Sequence, residues 1–214
     1  MGSIGVIIEN IYKKFNGETV LSNINVQFEP GKIHGVVGRN GSGKSVLFKI
    51  ICGLILPTSG NVIIDGKKIG KDIDFPQDAG IIIETPGFLP NMSGYKNLKL
   101  LASLKGVIDD EVIKSSISRL GLDPLSKKHV GKYSLGMKQR LALAQAIMED
   151  PKLLILDEPM NGLDRQGAND VRDLLLALKE EGKTLIISSH NAEDIKLLCN
   201  TVIELDNGKV IMAT

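Results

Sequence analysis

The spacing of apolar positions changes several times along this chain, and each change predicts an element. Ile4 to Glu9 and Ile24 to Phe28 read as strands, with Asn16-Gly17 as a turn between them. Ile33 to Val37 is a compact apolar strand that runs into a glycine-rich loop. Beyond that loop, Val46, Leu47, Ile50, Ile51 and Leu54 recur at helical spacing. Gly60 opens a hairpin made of Val62 to Ile64, an Asp65-Gly66 turn and Lys67 to Ile69, and Ile81 to Ile83 predicts a further buried strand.

From about residue 86 to 150 the periodicity is helical, with Pro86 and Pro90 at its start and no clear strand. Asp109 is placed to cap a helix that reaches Leu120 and stops at Gly121, and another helix runs from about Leu135 to Met148. Strand patterns then return. Leu153 to Leu156 is uniformly apolar, as a strand inside a parallel sheet would be. Val171, Leu174, Leu175 and Leu178 mark a helix, Thr184 to Ser188 a strand, and Ile195, Leu197 and Leu198 a short helix. Val202 to Leu205 and Lys209 to Met212 flank an Asn207-Gly208 turn. Strands alternating with helices predict a parallel sheet covered on both faces, with a helical lobe of about residues 86–150 inserted into it, all within one domain spanning 1–214.

Composition narrows the function. The chain has 214 residues, and its 26 Lys+Arg against 25 Asp+Glu leave a net charge of +1, which argues against bulk electrostatic binding to nucleic acid. Aromatics are 4% and Trp is absent, which argues against a platform for stacking single-stranded bases. No apolar run approaches the ~18 residues that would predict a membrane-crossing helix. Met1-Gly2 lacks the Ser or Thr that myristoylation needs at position 6, where Val6 stands. Cys52 and Cys199 are far apart and fit no metal spacing, so both read as small buried hydrophobes of a reducing compartment, and the expected location is cytoplasmic.

Two stretches carry chemistry. Gly38-Arg39-Asn40-Gly41-Ser42-Gly43-Lys44-Ser45 fits the phosphate-loop pattern G-x-x-x-x-G-K-S/T. A nucleotide's phosphate chain is a dense anion. Successive backbone N–H groups can wrap it where glycines allow close approach, and the following helix turns its positive end toward it. Lys44 adds a mobile charge over the β- and γ-phosphates, and the Ser45 hydroxyl is a hard oxygen ligand for Mg²⁺. The second stretch is the apolar strand that ends in Asp157-Glu158-Pro159. Neighbouring strand residues face opposite ways, so Asp157 is assigned to the Mg²⁺ shell and Glu158 to a water at the γ-phosphate, as general base. His190, after the strand ending at Ser188, is a candidate for the γ-phosphate or that water, whereas His34 and His129 read as structural.

These residues, together with Tyr133-Ser134-Leu135-Gly136-Met137-Lys138-Gln139-Arg140, resemble the ATP-binding subunits of ABC transporters over essentially the whole chain. Against the family signature L-S-G-G-Q-x-Q-R, Ser134, Gly136, Gln139 and Arg140 match, and Leu135 and Met137 depart. Asn161-Gly162-Leu163-Asp164 resembles the D-loop and His190 the switch histidine. Phe15 stands where the family stacks an aromatic on adenine, with Tyr12 as its rival, and Val46 replaces a Thr that contacts the α-phosphate. Glu84 replaces the Gln usual at the junction of core and helical lobe. A carboxylate there could bind Mg²⁺ but repels a γ-phosphate when no metal is present; the alternative is a tolerated variant. Glu84 with S-L-G-M-K-Q-R resembles the bacitracin-export and lantibiotic-immunity branch.

The resemblance implies an α/β fold: a P-loop NTPase (RecA-like) core, an antiparallel β subdomain and an inserted helical lobe. It implies ATP and Mg²⁺ as ligands and an ATP-dependent homodimer in which Ser134, Gly136 and Gln139 of one copy complete the site around Lys44 of the other. It also implies transmembrane permease subunits in a separate chain, which would hold this one at the cytoplasmic face of the membrane. Such a subunit powers export of a peptide antibiotic or drug. The alternative within the family is a soluble ATPase acting on DNA or ribosomes, which usually has a coiled-coil insertion or two fused ATPase domains. The N-K-x-D motif of GTPases is absent.

Overall fold

The computed structural model describes residues 4–84 and 87–213. Met1-Gly2-Ser3, and Pro86 at the expected start of the helical lobe, lie outside the described residues. The chain begins with a long hairpin, β1 (Val6–Phe15) and β2 (Glu18–Phe28), turning at Asn16-Gly17. Both strands are longer than their hydrophobic alternation predicts. The reason is a set of register shifts between Ile8 and Lys13, with Asn10 at φ 48° and Asn23 at φ 55°, which break the two-residue period without ending the pairing. β3 (Ile33–Val37) spans the expected residues and is followed by α1 (Lys44–Ile51). The helix stops before Leu54, whose side chain is exposed. Gly53 sits at φ +73°, and a β-carbon there would lie 2.0 Å from the Asp74 carbonyl oxygen, so the chain turns off at this point.

β4 (Ser59–Ile64) and β5 (Lys67–Lys68) form the second hairpin, and β6 (Ala79–Ile82) starts two residues before the predicted strand. The intervening helices are α2 (Gly94–Lys105), α3 (Asp110–Arg119) and α4 (Leu135–Ile147), with a short 3-10 turn at Val130–Lys132. The Asp109 carboxylate caps α3 by accepting from the N–H groups of Glu111 and Val112. β7 (Leu153–Leu156), α5 (Arg165–Glu180), β8 (Thr184–Ser188), α6 (Ala192–Leu198), β9 (Thr201–Asp206) and β10 (Lys209–Ala213) complete the order.

Among the described residues the strands form two sheets. One is antiparallel, in the order β2-β1-β4-β5; the other runs β10-β9-β3-β8-β7-β6 and is parallel except for β10. Alternate side chains of the parallel sheet enter two separate cores. Leu154, Leu156, Leu185 and Ile187 pack with α2 to α5, while Leu153, Ile155 and Ile186 pack with α1 and the antiparallel sheet. The parallel sheet is covered on both faces, as expected: by helices on one, and by α1 with the antiparallel sheet on the other. The register sets Ile82 beside Leu156, Leu156 beside Ile187, and Val36 beside Ser188, so four strands release their following loops along one edge.

Gly80 lets α4 lie against β6. A β-carbon built on Gly80 would be 1.9 Å from the Ala146 carbonyl oxygen. Gly80→Ala is expected to lower the unfolding free energy by about 1–3 kcal/mol, the usual cost of overpacking, in chemical denaturation. An unchanged midpoint would show that α4 shifts freely on the sheet.

Candidate nucleotide site

The strand edge gathers the phosphate-loop residues, Asp157, Glu158 and His190, because each follows a strand of known register. After β3 the loop curls so that the ammonium of Lys44 donates to the Gly38 carbonyl at 2.7 Å and the Arg39 carbonyl at 3.1 Å. Gly38 sits at φ +148° and a β-carbon there would lie 2.2 Å from the Leu205 carbonyl oxygen, so only glycine serves. The Ser42 hydroxyl is buried without a hydrogen-bond partner inside this loop. A buried donor of that kind is costly unless a ligand satisfies it. Asn40, Gly41, Gly43, Lys44, Ser45 and Val46 line a cavity of about 430 Å³ together with Asp157, Glu158 and His190. The Arg39 side chain is exposed and contributes its backbone.

A hydrogen-bonded chain joins three elements at the cavity floor. Ser45 Oγ at the start of α1 donates to Asp157 Oδ2 at 2.9 Å; Ser188 Oγ at the end of β8 donates to Asp157 Oδ1 at 2.5 Å and accepts from the Glu158 N–H at 2.9 Å. Ser45 is the donor in this hydrogen bond, so the lone pairs of its oxygen stay free. The two side chains therefore fit a hard divalent cation such as Mg²⁺. Ser188 was not anticipated, although its place at the carboxyl end of a parallel strand marks it.

Glu158 adopts φ 52°, unusual for a residue other than glycine. Its Oε2 accepts from the His190 N–H at 3.2 Å, and its Oε1 lies 3.2 Å from His190 Nε2. Burial holds the Glu158 carboxyl above its ordinary value; His190 opposes this, Asp157 adds to it and Lys44 pulls it down.

The buried amide of Gln139 donates to the carbonyls of Glu158, at 3.2 Å, and Pro159, at 3.0 Å. This separates it from Ser134 and Gly136, with which the signature pattern groups it: its amide is spent within the chain, holding the strained Glu158 turn. Ser134 caps α4, accepting from the Met137 N–H, and Asp164 caps α5, accepting from the Gly167 N–H. Ser134, Gly136 and Asp164 line a cavity of about 400 Å³ with Gly162 and Leu163. The lining of that cavity and the lining of the phosphate-loop cavity have no residue in common.

Glu84, at φ 60°, pairs with Lys49 of α1 at 2.6 Å and shares a cavity of about 210 Å³ with Lys138, Asp157 and Glu158. Phe15 is exposed at the tip of the first hairpin with the Lys13 ammonium 4.7 Å from its ring centre; the structure places Val20, rather than Phe15 or Tyr12, in the phosphate-loop lining. His34 is structural as expected, buried between Thr201 and the Glu29 carbonyl, and His129 is exposed. Both cysteines are free, and burial pushes each thiol up to about 12.

The family description "ABC transporter" matches residues 21–161. The chain belongs to this family. It is an ATP-binding protein of ABC transporters, an ATPase. It is 47% identical to the uncharacterized ABC transporter ATP-binding protein YybJ of Bacillus subtilis (strain 168), covering 94% of this chain and 92% of that one. It is 40% identical to the bacitracin transport ATP-binding protein BcrA of Enterococcus faecalis, over 95% of this chain and 67% of that one. It is 37% identical to the lantibiotic transport ATP-binding protein SrtF of Streptococcus pyogenes, over 96% and 88%. The dimeric post-hydrolysis structure of the ATP-binding cassette MJ0796, bound to ADP and Pi, superimposes with a TM-score of 0.87 at 25% identity, covering 98% of this chain and 97% of that one. Among the described residues no helix is long and apolar enough to cross a membrane.

Because the folded state keeps Glu158 protonated to a higher pH than the unfolded chain does, it binds more protons above pH 4.5, and stability falls as pH rises through that window. Glu158→Gln is therefore expected to unfold at higher denaturant than the parent at pH 7.5, with the gain lost by pH 4. An ATPase variant less stable than the parent at both pH values would contradict the burial argument.

Proposed function

We propose that this ATPase powers export of a peptide antibiotic or similar compound through membrane-spanning permease subunits carried on a separate chain, working as a pair of copies closed by ATP and Mg²⁺. The names of the relatives support the cargo class, and their being transport proteins favours this reading over action on DNA or ribosomes. The observation that carries the paired arrangement is the separation of two half-sites: Lys44, Asp157 and Glu158 line one cavity, while Ser134, Gly136 and Asp164 line another. Neither is complete alone.

In this reading the phosphates take over the Lys44 ammonium from the Gly38 and Arg39 carbonyls, and backbone N–H groups of residues 40–45 wrap them. Ser42 offers its buried hydroxyl to the phosphates. Phe15 flanks the adenine, and Val46 packs near the α-phosphate without the hydroxyl that Thr would add. Ser45 and Asp157 would hold Mg²⁺, with Glu84 beside them; the ion, when bound, neutralises charge on the β- and γ-phosphates. Glu158 takes a proton from a water whose oxygen attacks the γ-phosphorus, while the bond to the bridging oxygen breaks and ADP leaves. His190 orients the Glu158 carboxylate and reaches the γ-phosphate. Ser134 accepts the capping N–H with its oxygen and keeps its O–H proton to donate to the partner copy's γ-phosphate. Asp164, capping the next helix, sets the D-loop that meets the partner. ATP binds the closed pair better than the open one, so hydrolysis reopens it and moves the permease. The subunit would then sit at the cytoplasmic face of the membrane.

Lys44→Ala is expected to abolish tight ATP binding, and Glu158→Gln to bind ATP while its hydrolysis falls at least about a hundredfold, the lower end of a general base's contribution. Parent-like turnover in Glu158→Gln would move the base elsewhere. Tagged Glu158→Gln with ATP, mixed with solubilised membranes, is expected to retain a multi-helix membrane protein. Retention of ribosomal or DNA-bound proteins in its place would overturn the transporter reading.

A further inference from the structure

The cavity floor has a charge problem that the catalytic residues leave open. Ile82 and Leu156 are register partners, so Glu84 and Glu158, each two residues past that pair, leave adjacent strands at the same level. Asp157 lies between them in sequence and space, its N–H donating to the Ile82 carbonyl at 2.7 Å. Three carboxylates thus face one cavity of about 210 Å³, next to the loop that receives a triphosphate. Each unpaired negative charge there repels the ligand. Lys138 lines the same cavity, while Lys44 is committed to the phosphate loop, where its ammonium already sits on two carbonyls. Asp157 accepts from two serine hydroxyls, and the Glu158 carboxylate lies against His190. Glu84 has neither, and its side chain is 62% exposed.

Lys49 answers the remaining charge. It stands one and a half turns beyond Lys44 on α1, and its ammonium donates to Glu84 Oε1 at 2.6 Å. We propose that Lys49 is a positioning residue for nucleotide binding: its ion pair with Glu84 presents a locally neutral unit at the mouth of the site and holds the Glu84 carboxylate at the cavity edge. The pair lets a carboxylate occupy this strand exit without repelling the phosphates. α1 begins in the phosphate loop and Glu84 follows β6, so the pair also ties that helix to the segment that enters the helical lobe. The proposal rests on the nucleotide-site reading above. A parent protein that fails to bind ATP removes that reading; the comparison among variants tests the pair.

The test is a double-mutant cycle read by calorimetric titration with the non-hydrolysable analogue adenylyl imidodiphosphate, with and without Mg²⁺. Lys49→Met is expected to weaken binding roughly three- to fivefold, the scale of a partly exposed charge interaction, and most strongly without Mg²⁺. Lys49→Arg is expected to restore it. In a Glu84→Gln background, Lys49→Met is expected to change affinity by less than about twofold, because no charge is left to offset. An equal loss in both backgrounds would show that Lys49 acts on the ligand directly or on the fold, and would overturn the proposal, as would unchanged binding in Lys49→Met alone. Denaturation midpoints measured on the same five proteins keep a folding defect distinct from a binding one.

Discussion

The structure depends on the shared carboxylate of Asp157. One oxygen accepts a hydrogen bond from the Ser45 hydroxyl and the other from the Ser188 hydroxyl, so a single side chain ties the start of α1 to the ends of β7 and β8. Ser188 passes the connection on by accepting from the Glu158 N–H. Hydrogen bonds to an ionised acceptor are shorter and stronger than neutral ones, and here they sit at a partly buried floor where water competes poorly. The loop that starts α1, the Ser45 and Asp157 oxygens and the Glu158 turn are thereby held in one frame.

That frame is mounted on two cores. The parallel sheet sends alternate residues of β7 and β8 to opposite faces, one packed by the helices and the other by α1 and the antiparallel sheet. The helices that carry the signature residues share a core with the sheet face behind Glu158, and Gln139 adds a direct tie by bonding the Glu158 and Pro159 carbonyls. A movement of α4 would be felt at the Glu158 turn, whose positive φ is tolerable only while such contacts hold it. The two cavities of one chain are thus mechanically connected although their linings share no residue.

Much of this was legible in the sequence, for physical reasons that differ by residue. The phosphate loop and the Asp157-Glu158 strand end could be read because close phosphate approach and a parallel strand restrict composition tightly. Ile33–Val37, Leu153–Leu156 and Thr184–Ser188 were legible because strands buried on both faces are mostly apolar and do not alternate. β1 was only partly legible, since its register shifts break the alternation that announces a strand. Ser188, Val20 and the inward turn of Gln139 follow from which strands are neighbours, and spacing along the chain carries no such information. The Lys49–Glu84 pair spans 35 residues and depends on where the chain leaving β6 passes α1. The Glu84 departure was visible; its partner was not.

The central claim is that one copy holds two incomplete halves of a nucleotide site. The most direct measurement is the solution mass of Glu158→Gln by light scattering, with and without saturating ATP and Mg²⁺. The account predicts a mass near 23.1 kDa without nucleotide and about twice that with it, since unhydrolysed ATP would bridge the phosphate loop of one copy and the signature of the other. A protein that binds ATP at full occupancy and keeps the single-chain mass would contradict it.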